Sequence, residues 1–142
     1  MSKSNLKVYA LRLRPNQDLN QELDNFVKQN GLKSAFIMTC VGSLTKATVR
    51  MAFGGQEENE VKVYQEHMEI VSLVGTLSCI GGHHLHISLS TKNGQVLGGH
   101  VFGEMNVFTT AEIVIGECED LAFKREFDPA SGFDELVVCP RN

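Results

Sequence analysis

The pattern of apolar and polar positions changes its period once along the chain, near residue 34. Before that point, residues 7–14 alternate between apolar and polar side chains, as a half-buried strand does. Asp18 stands where a helix N-cap belongs, and Gln21 occupies the capping-box position three residues later. The apolar residues that follow at helical spacing form a single stripe: Leu19, Leu23, Phe26 and Val27. We therefore predict one strong helix that ends at Gly31.

From residue 34 onward, apolar residues recur with a period of two, which is typical of β-strands. The predicted strands are residues 35–41, 47–53, 61–64, 68–79, 81–90, 95–100, 110–117, 121–127 and 133–138. Gly42 and Ser43 predict a turn between the first two, and residues 54–60, rich in glycine and then in acid, predict an exposed loop. We expect a single domain over residues 1–142 with an α+β fold: one main helix packed on an antiparallel, partly closed β-sheet.

The predicted strand at residues 81–90 carries the most unusual chemistry of the chain. Alternation places His84 and His86 on one face of this strand, together with two serines. The opposite face is apolar and carries Leu85, Ile87 and Leu89. The pattern thus predicts a polar, histidine-bearing surface backed by core residues.

Whether a third histidine, His100, joins this face depends on the register of the following hairpin. A two-residue loop at Asn93-Gly94 would pair Ile87 with His100 and direct His100 to the apolar face. A three-residue loop that ends in a left-handed Gly94 would instead pair His86 with His100 on the polar face. A bulge at Gly98-Gly99 would have the same effect on the two-residue register, because one extra residue reverses the side chains beyond it.

Three imidazoles brought together in this way can bind a transition metal and leave one coordination position open. Zinc is the default ion for His84, His86 and His100, while iron, nickel, cobalt and manganese also accept imidazole ligands. The open position can take water, a carboxylate or a substrate atom. The alternative to a metal site is that His84 and His86 are ordinary surface histidines on a solvated sheet face, because the His-x-His spacing is common. A cupin-type site is disfavoured, because no carboxylate follows within residues 87–90.

Other polar residues are weaker candidates for a site. Glu104 and Glu112 can act as acid–base groups, or as partners that orient a metal-binding imidazole, although exposed glutamates without such a role are far commoner. Arg50, together with Arg12 and Arg125, can contribute to an anion pocket. Taken singly, each of these arginines is also typical of a solvated or paired strand residue.

Composition limits the partners and the cellular compartment. The 142 residues include 13 Lys and Arg against 17 Asp and Glu, a net charge of −4, so there is no global attraction to nucleic acid or to anionic membranes. No apolar run has the length of a membrane span or a signal peptide. Four cysteines form no Cys-x-x-Cys pair: Cys40, Cys79, Cys118 and Cys139. Cys40 would need a lowered pKa and a nearby base to act as a nucleophile, and a buried structural thiol is favoured. We expect an intracellular, cytoplasmic protein, with a nuclear location left open.

Several short motifs together resemble the PPC domain, also called DUF296, in the order of that family and over nearly the whole chain. The motifs are Leu11-Arg12-Leu13, Asp18-Leu19, Cys40-Val41-Gly42-Ser43-Leu44, Gly82-x-His84-x-His86-Ile87-Ser88, Gly98-Gly99-His100 and Thr109-Thr110-Ala111-Glu112. The resemblance implies an α+β fold, a homotrimer and metal binding by the three histidines. In plants the domain accompanies DNA-binding AT-hooks, whose Arg-Gly-Arg-Pro core is missing from this chain.

These observations lead to one main functional hypothesis and two alternatives. The main hypothesis is a stand-alone PPC-domain protein, a homotrimer with a three-histidine divalent-metal site and an open position for a small ligand. The first alternative is an interaction module associated with DNA or chromatin that acts through partners, since direct DNA binding is disfavoured by the charge. The second is a metal-dependent hydrolase or lyase in which Glu104 or Glu112 assists.

Overall fold

The computed structural model describes residues 2–52 and 59–141, and the predicted loop at residues 54–60 falls largely outside these ranges. Within them the chain forms one helix and eight strands. In chain order the elements are β1 (Leu6–Leu13), α1 (Leu19–Gln29), β2 (Ala35–Arg50), β3 (Val61–Tyr64), β4 (Met68–Ser78), β5 (Gly82–Ser90), β6 (Val96–Cys118), β7 (Leu121–Asp128) and β8 (Phe133–Pro140).

Helix α1 confirms the prediction made from its cap and its apolar stripe. The side chain of Asp18 accepts hydrogen bonds from the backbone N–H groups of Asn20 and Gln21, as an N-cap does. The same carboxylate accepts a hydrogen bond from the backbone N–H of Met105 at 3.1 Å, which ties the start of the helix to β6. The buried side of the helix is formed by Leu19, Leu23 and Val27.

Two long strands organise the sheet. β2 has 16 residues and β6 has 23, whereas the sequence pattern predicted two shorter strands in each of these regions. The six-stranded sheet has the order β1-β6-β5-β4-β2-β3, and β2 also pairs with β6. That additional pairing closes β6, β5, β4 and β2 into a ring, so the sheet is barrel-like.

The expected α+β fold class is therefore wrong, because the protein is mostly β: the described residues form eight strands and one short helix. The physical reason is that the closed sheet fills its interior with its own inward-facing side chains. Several inward-facing side chains have 0% of their accessible area exposed: Leu44, Leu85, Leu89, Met105 and Ile115. A sheet that covers its own apolar face needs no helical layer, and α1 packs chiefly against β6 and β4.

Irregular pairing allows β2 to follow the curve of the ring. The register between β2 and β6 shifts at four places, between Ile37 and Thr39 and again along residues 42–49. Such irregularities bend a strand without ending it. Gly42, which the sequence pattern places in a turn, instead lies inside β2 and opposite Ala111.

Strands β7 and β8 form a separate two-stranded sheet, which is fastened to the barrel at several points. The backbone N–H of Phe123 donates to the carbonyl of Lys33 at 2.8 Å. Arg125 Nη2 donates to Thr76 Oγ1 at 3.1 Å. A Cβ at Gly81 would lie only 2.6 Å from the carbonyl oxygen of Phe123, so glycine permits this close approach. The terminal hairpin is thus held against the ends of β4 and β5.

No helix within the described ranges combines the length and the apolar character that a membrane crossing requires.

We predict that Gly42→Ala lowers the free energy of unfolding by at least about 2 kcal/mol. Gly42 has a φ of +153°, and an added Cβ would lie 2.0 Å from the backbone oxygen of Thr110, so β2 and β6 would have to separate. Urea denaturation followed by far-ultraviolet circular dichroism measures the effect.

Gly132→Ala is the matched control for this substitution. Gly132 also has a positive φ, +79°, but its Cβ would meet no atom within 4 Å. Only the left-handed backbone penalty, about 1 kcal/mol, is expected there. Equal losses in the two variants would contradict a role for the close approach of β2 to β6.

Candidate metal centre

The two faces of β5 separate as its alternation predicts. Leu85, Ile87 and Leu89 are buried, whereas His84 and His86 point to the exposed side. On that side, Ser88 Oγ lies 2.5 Å from Ser72 Oγ of β4, so the polar face of β5 continues across the neighbouring strand.

The turn between β5 and β6 has the three-residue form, with a left-handed glycine at its end. The backbone N–H of Thr91 donates to the carbonyl of Gln95 at 2.9 Å, and Gly94 has a φ of +76°. In the resulting register His86 lies opposite His100 and Ile87 lies opposite Gly99. Of the registers left open by the sequence, the structure therefore has the one that places His100 beside His86.

The three imidazoles form a compact cluster. One ring nitrogen of each of His84, His86 and His100 lies within 4.8 Å of the other two. The Nε2 atoms of His84 and His86 are 3.1 Å apart. Two ligands of a tetrahedral ion with metal–nitrogen bonds of about 2.0–2.1 Å lie about 3.4 Å apart. The chemistry and the spacing of these donors fit a divalent ion after small side-chain rotations.

Burial and neighbouring positive charge lower the pKa of two of these rings, His84 and His100. Burial, followed by the positive charge of Arg50, lowers the pKa of His100 to about 4. The pKa of His84 is also lowered, chiefly by burial and then by His86 and Arg125. Metal ions bind the neutral imidazole, so at pH 7 an ion would not have to displace a proton from His100.

The low pKa of His100 also sets the sign of its contribution to stability. The unfolded chain, with the ordinary histidine pKa of 6.5, takes up this proton before the folded chain does. Protonation of the unfolded state therefore weakens the metal-free fold as the pH falls from about 6.5 towards 4. Above that range His100 is unprotonated in both states, so this loss of stability is absent.

Of the cavities that adjoin the cluster, two share four lining residues: Arg50, His84, His100 and Phe133. The first, of about 580 Å³, is also lined by Met51, which directly follows β2, by Ser72 of β4 and by His86 of β5. The second, of about 530 Å³, is also lined by residues of the terminal hairpin, Arg125, Asp134 and Glu135. Both volumes lie in the range of small-molecule sites.

Of the other candidate residues that the sequence suggested, only some lie near the histidines. Arg50 lies opposite His100 in the β2–β6 pairing and lines both cavities. Glu104 forms an ion pair with Lys46, which lowers the pKa of its carboxyl group, and lines neither cavity. Glu112 lies on the outer face between Arg12 and Val41 in the strand register. The structure thus brings Arg50, but neither glutamate, to the histidines.

Arg12 and Cys40 are also remote from the histidines. Arg12 Nε donates to Thr110 Oγ1 at 3.1 Å on the outer face of the sheet. Burial raises the pKa of the Cys40 thiol to about 11, so the thiolate needed for nucleophilic chemistry is disfavoured.

Sequence reasoning named Arg125 as a candidate for an anion pocket with Arg50, and both line the second cavity, but it missed the rest of the terminal hairpin's contribution to this site. The pattern predicted both of its strands, but Phe133 and Glu135 carry no local signal that they lie near His84. Their position follows from the docking of β7 against Gly81 and Thr76, which is a tertiary contact.

Comparison with known proteins gives this geometry a family. Residues 1–119 match the family model of the Plants and Prokaryotes Conserved (PCC) domain. A hypothetical protein of Salmonella enterica has a solved structure that is 42% identical, with a TM-score of 0.92 and 99% of each chain covered. A metal-containing protein of Archaeoglobus fulgidus is 28% identical, with a TM-score of 0.81 over 96% of this chain and 99% of its own.

Two further matches limit what can be transferred. The chain is 40% identical over 140 residues to the bifunctional protein GlmU of a Synechococcus strain, which covers 99% of this chain but 21% of that protein. The chain therefore spans about a fifth of its curated relatives. A structure from Bacteroides thetaiotaomicron, described as a candidate DNA-binding protein, has a TM-score of 0.81 over 96% of this chain and 98% of its own; at 22% identity it shows the fold alone.

We predict that His100 titrates near pH 4 in the metal-free protein and that Arg50→Gln raises this pKa. The rise should be partial, because burial is the larger cause and remains in the variant. Histidine ring resonances followed by NMR through a pH titration provide the measurement. Arg12→Gln, which removes an arginine on the outer face, should leave the His100 midpoint unchanged. A wild-type midpoint near 6.5, or no response to Arg50→Gln, would contradict this account.

Proposed function

The chain belongs to the Plants and Prokaryotes Conserved domain family, and from that premise we propose that it binds one divalent metal ion through His84, His86 and His100. The observation that carries the proposal is the placement of three imidazole nitrogens within 4.8 Å of one another on one sheet face. The metal-containing relative from Archaeoglobus fulgidus supports it. Zinc is the ion that we expect first, since three imidazoles with an open position are a common zinc site.

The proposed site binds a small ligand at the coordination position that the three histidines leave open. The cavities of about 580 and 530 Å³ beside the cluster offer the necessary space. A bound divalent ion would supply Lewis-acid chemistry to such a ligand. The proposal assigns no reaction to the site, and Glu104 and Glu112 have no part in it, because neither lines these cavities.

Direct DNA binding is not part of the proposal. The net charge of −4 provides no attraction to phosphate groups. A cytoplasmic location is proposed with the metal site and fits the four free cysteines.

We also propose that the protein is a homotrimer. β6 lies between β1 and β2, and the outer surface of these strands exposes apolar residues that a partner would cover. Leu6, Val8, Met38 and Val41 retain 46–57% of their accessible area. Exposed apolar side chains on the outer side of these strands support an interface there.

Elemental analysis of tag-free protein purified without chelator tests the metal site. We expect about one transition-metal ion per chain in the wild type, and loss of the ion in a His84→Ala/His86→Ala variant. His67→Ala is the control, because His67 stacks on Phe108 and is not part of the cluster. Equal and negligible metal in the wild type and the double variant would overturn the proposal.

The mass in solution tests the trimer. Light scattering should give three times the chain mass of 15.7 kDa. Val41→Asp should lower this value, because a buried carboxylate without a partner opposes association. Val96→Asp, at a residue that is 63% exposed on the β5–β6 hairpin, is the matched control and should leave the mass unchanged. A wild type that measures as a monomer would exclude the trimer.

A further inference from the structure

The second cavity, between the histidine cluster and the terminal hairpin, contains charged groups that the metal site itself does not need. Arg50 enters it from β2, and Arg125 enters it from β7. Both residues line the same cavity as His84 and His100, so the two guanidinium groups lie on the same side of the barrel as the imidazoles. A pair of arginines beside a metal position is an arrangement that can recognise an oxyanion.

Arg125 is held in place by the barrel. Its Nη2 atom donates to Thr76 Oγ1, and within residues 2–52 and 59–141 no carboxylate lies within ion-pair distance of it or of Arg50. An arginine has five N–H donors, so one bond to Thr76 leaves most of them available. Both guanidinium groups therefore keep hydrogen-bonding capacity for a ligand in the cavity.

The charge balance of the cavity favours an anion once a metal ion is bound. Arg50 and Arg125 are balanced by Asp134 and Glu135, which line the same cavity. The imidazole ligands are neutral, so a divalent ion adds a double positive charge that they do not offset. Glu135 does not complete the cluster, because its carboxylate is not among the grouped donor atoms.

We propose that the open position of the metal site takes a small ligand with a carboxylate or phosphate group, and that Arg50 and Arg125 bind this oxyanion. The inference rests on the proposed metal site and names the class of its ligand. Phe133, which is 56% exposed and lines the cavity, packs against the remainder of the ligand. Arg125 and Phe133 lie beyond residue 119, where the family match ends, so the terminal hairpin supplies part of this recognition.

Isothermal titration of the metal-loaded protein at low salt tests the proposal, because salt screens such contacts. The probes are malonate, inorganic phosphate and the neutral diamide malonamide. We expect saturable binding of at least one anion and none of malonamide. The tighter of the two anions identifies whether the natural ligand carries a carboxylate or a phosphate.

Single substitutions test which charged residues bind the anion. Arg50→Gln and Arg125→Gln should each weaken anion binding by about tenfold or more, the loss of one charge-assisted hydrogen bond. Arg125→Lys should restore part of this loss, because it keeps the charge. Glu135→Gln should tighten binding, since it removes a negative charge beside His84. Arg12→Gln, on the outer face, is the matched control and should bind as the wild type does.

Metal content, measured on the same samples, separates this inference from the proposed function. A protein that contains its metal ion but binds neither anion overturns the inference alone. Equal weakening by Arg12→Gln and Arg125→Gln, or binding of malonamide as tight as that of malonate, also overturns it. A wild type that takes up no metal overturns both the metal site and the ligand class.

Discussion

The pairing of β6 with two different strands at residue 100 is the constraint on which the site depends. His100 lies opposite His86 of β5 on one side and opposite Arg50 of β2 on the other. The first pairing brings the third imidazole to the cluster, and the second brings a positive charge beside it. Both pairings follow from the closure of the sheet, because only a closed ring gives β6 a neighbour on each edge at this point. The histidine cluster and its electrostatic environment therefore have one structural origin.

The same closure explains why the histidines can remain neutral in a partly open position. The barrel interior is filled by apolar side chains such as Leu85 and Leu89, so the polar face of β5 lies against the outer cavities. Residues of the terminal hairpin line one of these cavities beside His84 and His100. Burial is consequently the largest cause of the low pKa of both His84 and His100, with neighbouring positive charge second. Neutral rings are available to a metal ion at neutral pH without the loss of a proton.

Local signals in the sequence were sufficient for helix α1 and for one face of the site. Asp18 and its apolar stripe predicted the helix, and alternation placed His84 and His86 together. The face on which His100 lies was left open, since it depended on the loop length and on a left-handed Gly94. The fold class could not be obtained in this way, because Gly42 resembles a turn residue in the sequence. Its actual role is to let β2 pass close to Thr110 of β6, and this contact between distant segments has no local signature.

The charges around the site couple its two proposed ligands. Arg50 and Arg125 lie beside the position proposed for a divalent ion, and in the absence of an anion their charges oppose its binding. An oxyanion that binds both guanidinium groups removes this repulsion and adds an attraction of its own. By linkage, the factor by which the anion raises the affinity for the metal equals the factor by which the metal raises the affinity for the anion. The two arginines therefore favour joint binding of metal and anion, whereas Asp134 and Glu135 in the same cavity favour the bare ion. On the two proposals together, occupancy of the histidine cluster depends on the ligand to the extent that the arginines outweigh these carboxylates.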